Sequence, residues 1–141
     1  MNLTEHFTLE ELTTTDHRQF DNTPNETERE NLVRLAGVLE LVKVAIGGKP
    51  VMVNSAFRSK SVNDAVGSKD TSQHRIGCAA DIRVPGMAPD AVVKAVIAAK
   101  LPFDQLIREF DRWTHISVPN TKDAAPRGQV LIIDSKGTRP Y

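Results

Sequence analysis

The hydrophobic and polar positions near the start of the chain predict two helices. Residues 8–11 (TLEE) have the form of a capping box, and Phe7 and Leu12 flank it at the spacing of a hydrophobic staple. A short helix therefore begins here, followed by a polar loop over residues 14–25. From about Asn25 to Ile46 the apolar residues recur at helical spacing, at Leu32, Leu35, Ala36, Leu39, Val42 and Ile46. We expect this segment to be the main core helix.

In the middle of the chain, apolar and polar residues alternate as in strands and no longer recur at helical spacing. The predicted elements here are a strand at 50–55, a helical turn at 61–66 and a strand at 80–84. In the second strand, Ile82 and Val84 fall on one face and Asp81 on the other. An aspartate is thus placed on the face opposite the apolar one.

Strand patterns dominate the second half. The predicted elements are a helix from Pro89 to Ala99 and strands at Leu106–Phe110, Trp113–Val118 and Val130–Asp134. A tight turn at Asp111-Arg112 is expected to join the first two of these strands into a hairpin. With helices first and closely spaced strands later, we predict an α+β fold with a mainly antiparallel sheet flanked by helices. A length of 141 residues favours one domain over 1–141.

Composition and charge exclude several kinds of protein. Eighteen basic and 18 acidic side chains give a formal net charge of zero, and the basic residues are scattered, which argues against nucleic-acid binding. No apolar stretch is long enough to span a membrane. The opening residues lack a basic start and an apolar run, so no secretory signal is visible and synthesis in the cytoplasm is expected. Because Cys78 is the only cysteine, a metal site would need histidine and carboxylate ligands.

Three residues are candidate metal ligands. His74 and Asp81 lie either side of a run of small residues, 77–80, and His115 lies on a predicted strand, on the same face as Trp113. Two imidazoles and one carboxylate, with a fourth position open to water, are typical of catalytic zinc sites. The alternative is that the histidines are ordinary and that Asp81 pairs with a nearby arginine such as Arg83. The spacing by itself leaves both interpretations open.

Three ordered motifs resemble a known family. SAFRS (55–59), SQHRIGCAAD (72–81) and EFDRWTHIS (109–117) resemble the zinc peptidases of the D-alanyl-D-alanine carboxypeptidase and L-alanyl-D-glutamate endopeptidase family, which shares its fold with the hedgehog signalling domain. The opening, EHFTLEEL and then DNTP, is similar to the phage-borne branch. The resemblance covers roughly residues 3–118. It implies that Gly77 and the following alanines form a tight turn and strand entry that bring Asp81 beside His74.

The resemblance also implies roles for individual residues. His74, Asp81 and His115 match the zinc ligands. Arg58 matches an arginine that contacts a substrate carbonyl or carboxylate, and Ser72 matches a serine that hydrogen-bonds the substrate backbone. The alternatives are an ion pair for Arg58 and a loop cap for Ser72.

Two acidic residues, Glu109 and Asp111, are candidates for the general base. Several family endopeptidases carry an acid three residues before the last histidine, where this chain has Arg112. Glu109 lies six residues before His115, an arrangement similar to that of the hedgehog domain, and a hairpin can bring it opposite that strand. Asp111 is the competing acid, but we assign it to the turn. Trp113 is expected to line the cleft and contact substrate.

The resemblance implies a zinc metallopeptidase that hydrolyses peptide bonds of bacterial peptidoglycan, as a phage or prophage lysis enzyme (endolysin). Its expected partner is the stem peptide, and we expect a monomer. It would reach the wall through holin-type release or as part of a virion. The alternatives are a non-catalytic wall-binding or virion module on the same fold, and a D,D-dipeptidase whose cleft is closed by insertions. The sequence leaves open whether the activity is that of a carboxypeptidase or an endopeptidase.

Overall fold

The computed structural model describes residues 1–141 as four α-helices, one short 3-10 helix and six strands. The helices are α1 (Leu9–Leu12), α2 (Glu26–Ala45), α3 (Lys60–Ala65) and α4 (Pro89–Ala98), and the 3-10 helix is Gln73–Ile76. The strands are β1 (Met52–Ser55), β2 (Ala79–Arg83), β3 (Gln105–Glu109), β4 (Trp113–Ser117), β5 (Gln129–Asp134) and β6 (Gly137–Pro140). No helix is both long enough and apolar enough to cross a membrane.

The first two helices begin at capping boxes. Thr8 and Glu11 cap α1 reciprocally, which confirms the box predicted from the sequence. Asn25 and Glu28 form a second box at the start of α2, which the sequence analysis did not identify. The buried face of α2 contains the predicted apolar residues, and its leucines at 32, 35 and 39 are fully buried. Burial of each contributes about 1.5–3 kcal/mol relative to exposure.

The six strands form one sheet in the order β1-β2-β4-β3-β5-β6. All neighbouring pairs are antiparallel except β3 and β5, which are parallel. The predicted α+β class and the mainly antiparallel character of the sheet are therefore confirmed. The core lies between this sheet and helices α2 and α4, and includes Leu35, Leu39, Val93, Ile82 and Ile116.

One local prediction needs correction, and two short elements were not predicted. The hairpin turn was placed at Asp111-Arg112 with Phe110 in the strand, but Phe110 and Asp111 are the residues with left-handed backbone, at φ 53° and 51°. β3 accordingly ends at Glu109, whose carbonyl accepts a hydrogen bond from Arg112 N at 3.0 Å. The residues around His74 form a 3-10 helix, and β6 was not predicted at all. Neither segment has the apolar periodicity that reveals longer elements.

Gly77 fixes the approach of the 3-10 helix to α2. Its φ is 79°, in the left-handed region that favours glycine, and it ends the 3-10 helix. A Cβ at this position would lie 2.8 Å from the backbone oxygen of Glu28, too close for any side chain. The chain then enters β2 through Cys78 and Ala79, both fully buried. The tight turn and close-packed strand entry expected at Gly77 are thus present.

Candidate metal centre

One ring nitrogen of His74 already has a hydrogen-bond partner within the chain. The 3-10 helix that carries it is capped by Ser72, whose Oγ accepts a hydrogen bond from His74 N at 3.3 Å. His74 Nδ1 lies 2.7 Å from the carbonyl oxygen of Ala56. Because a carbonyl can only accept, Nδ1 carries the proton and Nε2 keeps its lone pair. A backbone carbonyl that fixes the tautomer in this way is a common support for a metal-ligating histidine.

Strand pairing brings the other two candidates to the same place. Asp81 on β2 is the direct partner of His115 on β4, so their side chains lie on one face of the sheet. Asp81 Oδ1 is 3.0 Å from His115 Nδ1, and Asp81 Oδ2 is 3.3 Å from His74 Nε2. One ligand atom from each of the three residues lies within 4.8 Å of the others.

The charges and protonation states in this cluster favour the binding of a cation. Burial lowers the pKa of His74, against the opposing effect of Asp81, so its ring is neutral at pH 7. Burial acts to raise the pKa of Asp81, but positive charge and hydrogen bonds from the rings of His74 and His115 outweigh it, so that pKa lies well below its ordinary value. With the His74 ring neutral, a bound cation would supply that positive charge. An ionised carboxylate therefore faces the lone pair of a neutral imidazole. Without a cation between them, the carboxylate oxygen of Asp81 and Nε2 of His74 would be two hydrogen-bond acceptors in contact with no donor between them.

The donor set fits a tetrahedral ion. Zinc bonds of about 2.0–2.1 Å in tetrahedral geometry place ligand atoms about 3.3 Å apart. The separation of His74 Nε2 and Asp81 Oδ2 is 3.3 Å. Nε2 of His74, a carboxylate oxygen of Asp81 and Nδ1 of His115 are thus the atoms that could hold a metal ion.

Arg58 lies directly beside this donor set. Its backbone N–H donates to His74 O at 2.9 Å, and its Nε donates to Ser55 Oγ at 3.2 Å. Its Nη2 lies 3.4 Å from Asp81 Oδ2. Arg58 therefore does form an ion pair, but inside the site and not at the surface. The alternative pairing of Asp81 with Arg83 is not formed.

Glu109 is the acid that the hairpin brings to the cluster. Its strand neighbour is Trp113, whose indole Nε1 donates to Glu109 Oε2 at 3.0 Å. The other oxygen, Oε1, lies 3.9 Å from His115 Nδ1. Burial raises the pKa of Glu109, and the negative charge of Asp81 raises it further. Asp111, in contrast, is 71% exposed and pairs with Arg108 Nε at 3.0 Å, away from the cluster.

All the residues that were assigned a role in the site from the sequence line one small pocket. Its volume is about 240 Å³, and its walls include Arg58, Ser72, His74, Asp81, Glu109, Trp113 and His115. Ser72 acts as a cap, as its alternative interpretation proposed, and it also faces this pocket. The structure thus brings the candidate residues together, while their chemical roles stay predictions.

A second group of polar residues next to the site was missed from the sequence. Asp104 is 4% exposed and accepts hydrogen bonds from Arg127 N, Nε and Nη2. It also accepts one from Nε2 of Gln73, the residue before His74, at 3.0 Å. Gln73 adjoins a candidate ligand and could have been noticed. No spacing or composition signal points to a pair as far apart as residues 104 and 127.

An α+β domain with a buried two-histidine, one-carboxylate donor set and an adjacent glutamate has the features of a metal-dependent hydrolase. The family model described as Peptidase M15 matches residues 5–117, and the chain belongs to that family. The resemblance drawn from the three motifs is thereby confirmed. The chain is also 39% identical over 56 residues to the zinc D-Ala-D-Ala carboxypeptidase of Streptomyces albus G. That alignment covers 40% of this chain and only 22% of the relative.

Proposed function

We propose that this chain is a zinc-dependent peptidase that hydrolyses peptide bonds of bacterial peptidoglycan. The observation that carries the proposal is the buried Asp81 carboxylate, 3.3 Å from the unprotonated Nε2 of His74, with His115 on its other side. Membership of the M15 family and the relative named a zinc D-Ala-D-Ala carboxypeptidase support both the metal and the substrate class.

The three donor residues would hold the ion, each in a fixed orientation. When bound, Zn²⁺ supplies a Lewis acid for the scissile carbonyl and makes attacking water more acidic. Ala56 O fixes the ring of His74 from behind, and strand pairing fixes Asp81 against His115. Such support keeps the donors in place before substrate arrives.

Glu109 would serve as general base and then as general acid. Its Oε2 is held by Trp113, which leaves Oε1 directed toward the His115 side of the pocket. A carboxylate there can accept the proton of the attacking water and pass it to the leaving amine. Burial raises the pKa of Glu109, which moves this group toward the pH at which it works and favours the second step.

Arg58 and Ser72 would orient the substrate, with Trp113 as a wall. A guanidinium presents several N–H donors in one plane and suits a carbonyl or carboxylate oxygen. Arg58 already uses Nε on Ser55 and Nη2 on Asp81, so the free edge is Nη1. Its pairing with Asp81 also fixes the position of that edge.

We further propose a role as a lysis enzyme of a phage or prophage, acting as a monomer. The support is the similarity of residues 5–12 to the phage-borne branch of the family. Such an enzyme would be made in the cytoplasm and reach the peptidoglycan after holin-type release, or as part of a virion.

The test is incubation of the purified chain with purified peptidoglycan, with and without a chelator, followed by mass analysis of soluble fragments. We expect new fragments that carry a free amino group from the cut bond, their loss on chelation and their return with added Zn²⁺. Fragments that are unaffected by thorough metal removal would contradict the zinc mechanism. Binding to the wall without any fragments would favour the non-catalytic module.

A further inference from the structure

Two depressions of the surface adjoin the candidate metal centre. The first is the pocket of about 240 Å³ described above, which contains Arg58 and Glu109. The second is a cleft of about 620 Å³, within the range typical of ligand sites. Ser72 and His115 line both. We refer to the second as the loop-side cleft, because the segment 119–127 forms one wall of it.

The wall of the loop-side cleft is tied to the residue next to a candidate ligand. Gln73 Nε2 lies 3.0, 3.0 and 2.9 Å from three acceptors, Asp104 Oδ2, Val118 O and Asn120 Oδ1, among which its two N–H groups are shared. Asp104 in turn binds both the backbone N–H and the guanidinium of Arg127. Surface loops are usually mobile, whereas this one is joined at both ends to the element that carries His74.

Arg127 retains hydrogen-bonding capacity toward the cleft. Its Nε and Nη2 bind Asp104, and Nη1 has no partner within the chain. The side chain is 57% exposed and lines the cleft together with polar residues that include Thr71, Gln105 and Asn120. A polar wall with a fixed guanidinium suits the carbonyl and carboxylate oxygens of a peptide better than an apolar ligand.

We propose that the loop-side cleft is a subsite for the peptide segment on one side of the scissile bond, with Arg127 donating from Nη1 to a carbonyl or carboxylate oxygen of that segment. Asp104 is a positioning residue, because it acts through Arg127 and Gln73. The proposal rests on the proposed peptidase function and deepens it: the natural substrate extends beyond the residues at the bond that is cut.

The test compares Arg127→Ala with Lys122→Ala, which removes the same charge from the same loop at a position that does not line the cleft. The substrates are a short stem-type dipeptide blocked at its amino end and the same peptide extended by three residues on either side in turn. For one of the extended peptides, we expect Arg127→Ala to lower kcat/KM about tenfold through KM, and Lys122→Ala to leave it unchanged. The short peptide should change less than about twofold in both variants. Equal losses on short and extended peptides, or no loss on either, would overturn the subsite.

A binding measurement separates this proposal from the proposed function. Calorimetry in a Glu109→Gln background, with and without Arg127→Ala, measures affinity for the same peptides without hydrolysis. Tighter binding of an extended peptide that disappears with Arg127→Ala supports the subsite, even where the unaltered chain cuts nothing and the peptidase proposal fails. Equal affinity with and without Arg127→Ala, or no affinity for the extended peptides, overturns it.

Discussion

Two buried aspartates lie near each other in this molecule and have opposite surroundings. Asp81 and Asp104 are 8% and 4% exposed, and both have pKa values below the ordinary one. Every close partner of Asp104 is a permanent donor: a backbone N–H, a guanidinium and an amide NH₂. Asp81 has three close side-chain partners: the guanidinium of Arg58 and one ring nitrogen each of His74 and His115. An imidazole nitrogen donates a hydrogen bond only when it carries a proton.

The difference separates a structural carboxylate from a candidate ligand. Asp104 needs nothing from outside the chain, whereas Asp81 and the Nε2 of His74 are both acceptors at 3.3 Å. Burial alone would not have told them apart, and neither would the direction of their pKa shifts. The protonation state of the neighbouring groups does distinguish them. Of the four expected outcomes that follow, the first and the last test this distinction, and the other two test residues beside Asp81.

The largest effect should come from exchanging each aspartate for asparagine. Asp81→Asn removes a charged ligand, so we expect zinc affinity to fall by more than about 100-fold and hydrolysis to be lost. Asp104→Asn should bind one zinc per chain, which is also the content expected of the unaltered protein. Metal analysis after dialysis measures both, and His115→Ala should also lose nearly all its zinc. Full zinc occupancy in Asp81→Asn would remove the distinction between the two aspartates.

Glu109→Gln should slow hydrolysis about 10²- to 10⁴-fold, because an amide cannot accept the proton of the attacking water. Zinc content should not change, since Glu109 is not among the three donors. The matched control is Asp111→Asn, which alters an acid on the same hairpin that is 71% exposed and should keep most activity. The measurement compares the rates of peptidoglycan hydrolysis of the two variants at equal zinc content. An inactive Asp111→Asn beside an active Glu109→Gln would reverse the assignment.

Arg58→Lys should have an intermediate effect. Lysine keeps the positive charge beside Asp81 but loses the planar set of donors, so KM should rise about tenfold while zinc stays bound. Steady-state kinetics with a soluble stem peptide measure the change. Unaltered KM and kcat would reduce Arg58 to an ion-pair partner of Asp81.

The smallest effect concerns stability and distinguishes the two aspartates in the metal-free protein. Asp104→Asn should lower the free energy of unfolding by about 1–3 kcal/mol at pH 7, because Arg127 and Gln73 lose a charged acceptor. The folded-state pKa of Asp104 is depressed, so its contribution is present above the ordinary pKa of 3.8 and is lost as pH falls below about 4.

The difference between this variant and the unaltered protein should therefore shrink in acid. Denaturant titrations at pH 7 and pH 3 on metal-free protein measure it. Asp81→Asn, in the same metal-free state, should cost less than Asp104→Asn. A larger cost would mean that Asp81 is satisfied without a cation.

Local patterns were sufficient to predict much of the fold, whereas the meeting of the candidate ligands was implied by the family resemblance. The capping box at Thr8 and the apolar period of α2 depend on neighbouring residues, and both are present. Alternation placed Asp81 opposite the apolar face of its strand, and the hairpin placed Glu109 against the strand of His115. These inferences needed only the period of a strand and one turn.

The features that were not predicted depend on contacts between distant parts of the chain. The carbonyl of Ala56, which orients His74, is a backbone group that every residue has. Asp104 and Arg127 meet because β5 pairs in parallel with β3, a register that nothing in the sequence of either strand specifies. The turn at Phe110 was misplaced since a bulky residue rarely adopts positive φ.

The outer pair of strands has a consequence for solubility. β5 covers the strand that carries Glu109, from Leu106 beside Val130 to Glu109 beside Ile133. Uncovered, β3 would present a row of free N–H and C=O groups, which is the usual template for edge-to-edge aggregation. The sheet instead ends at β6, a four-residue strand that contains Arg139 and Pro140, and at β1, whose pairing is irregular between Val53 and Ser55. Short, charged, proline-containing or bulged edges recruit another chain poorly, so the strand that carries the candidate base is kept from self-association.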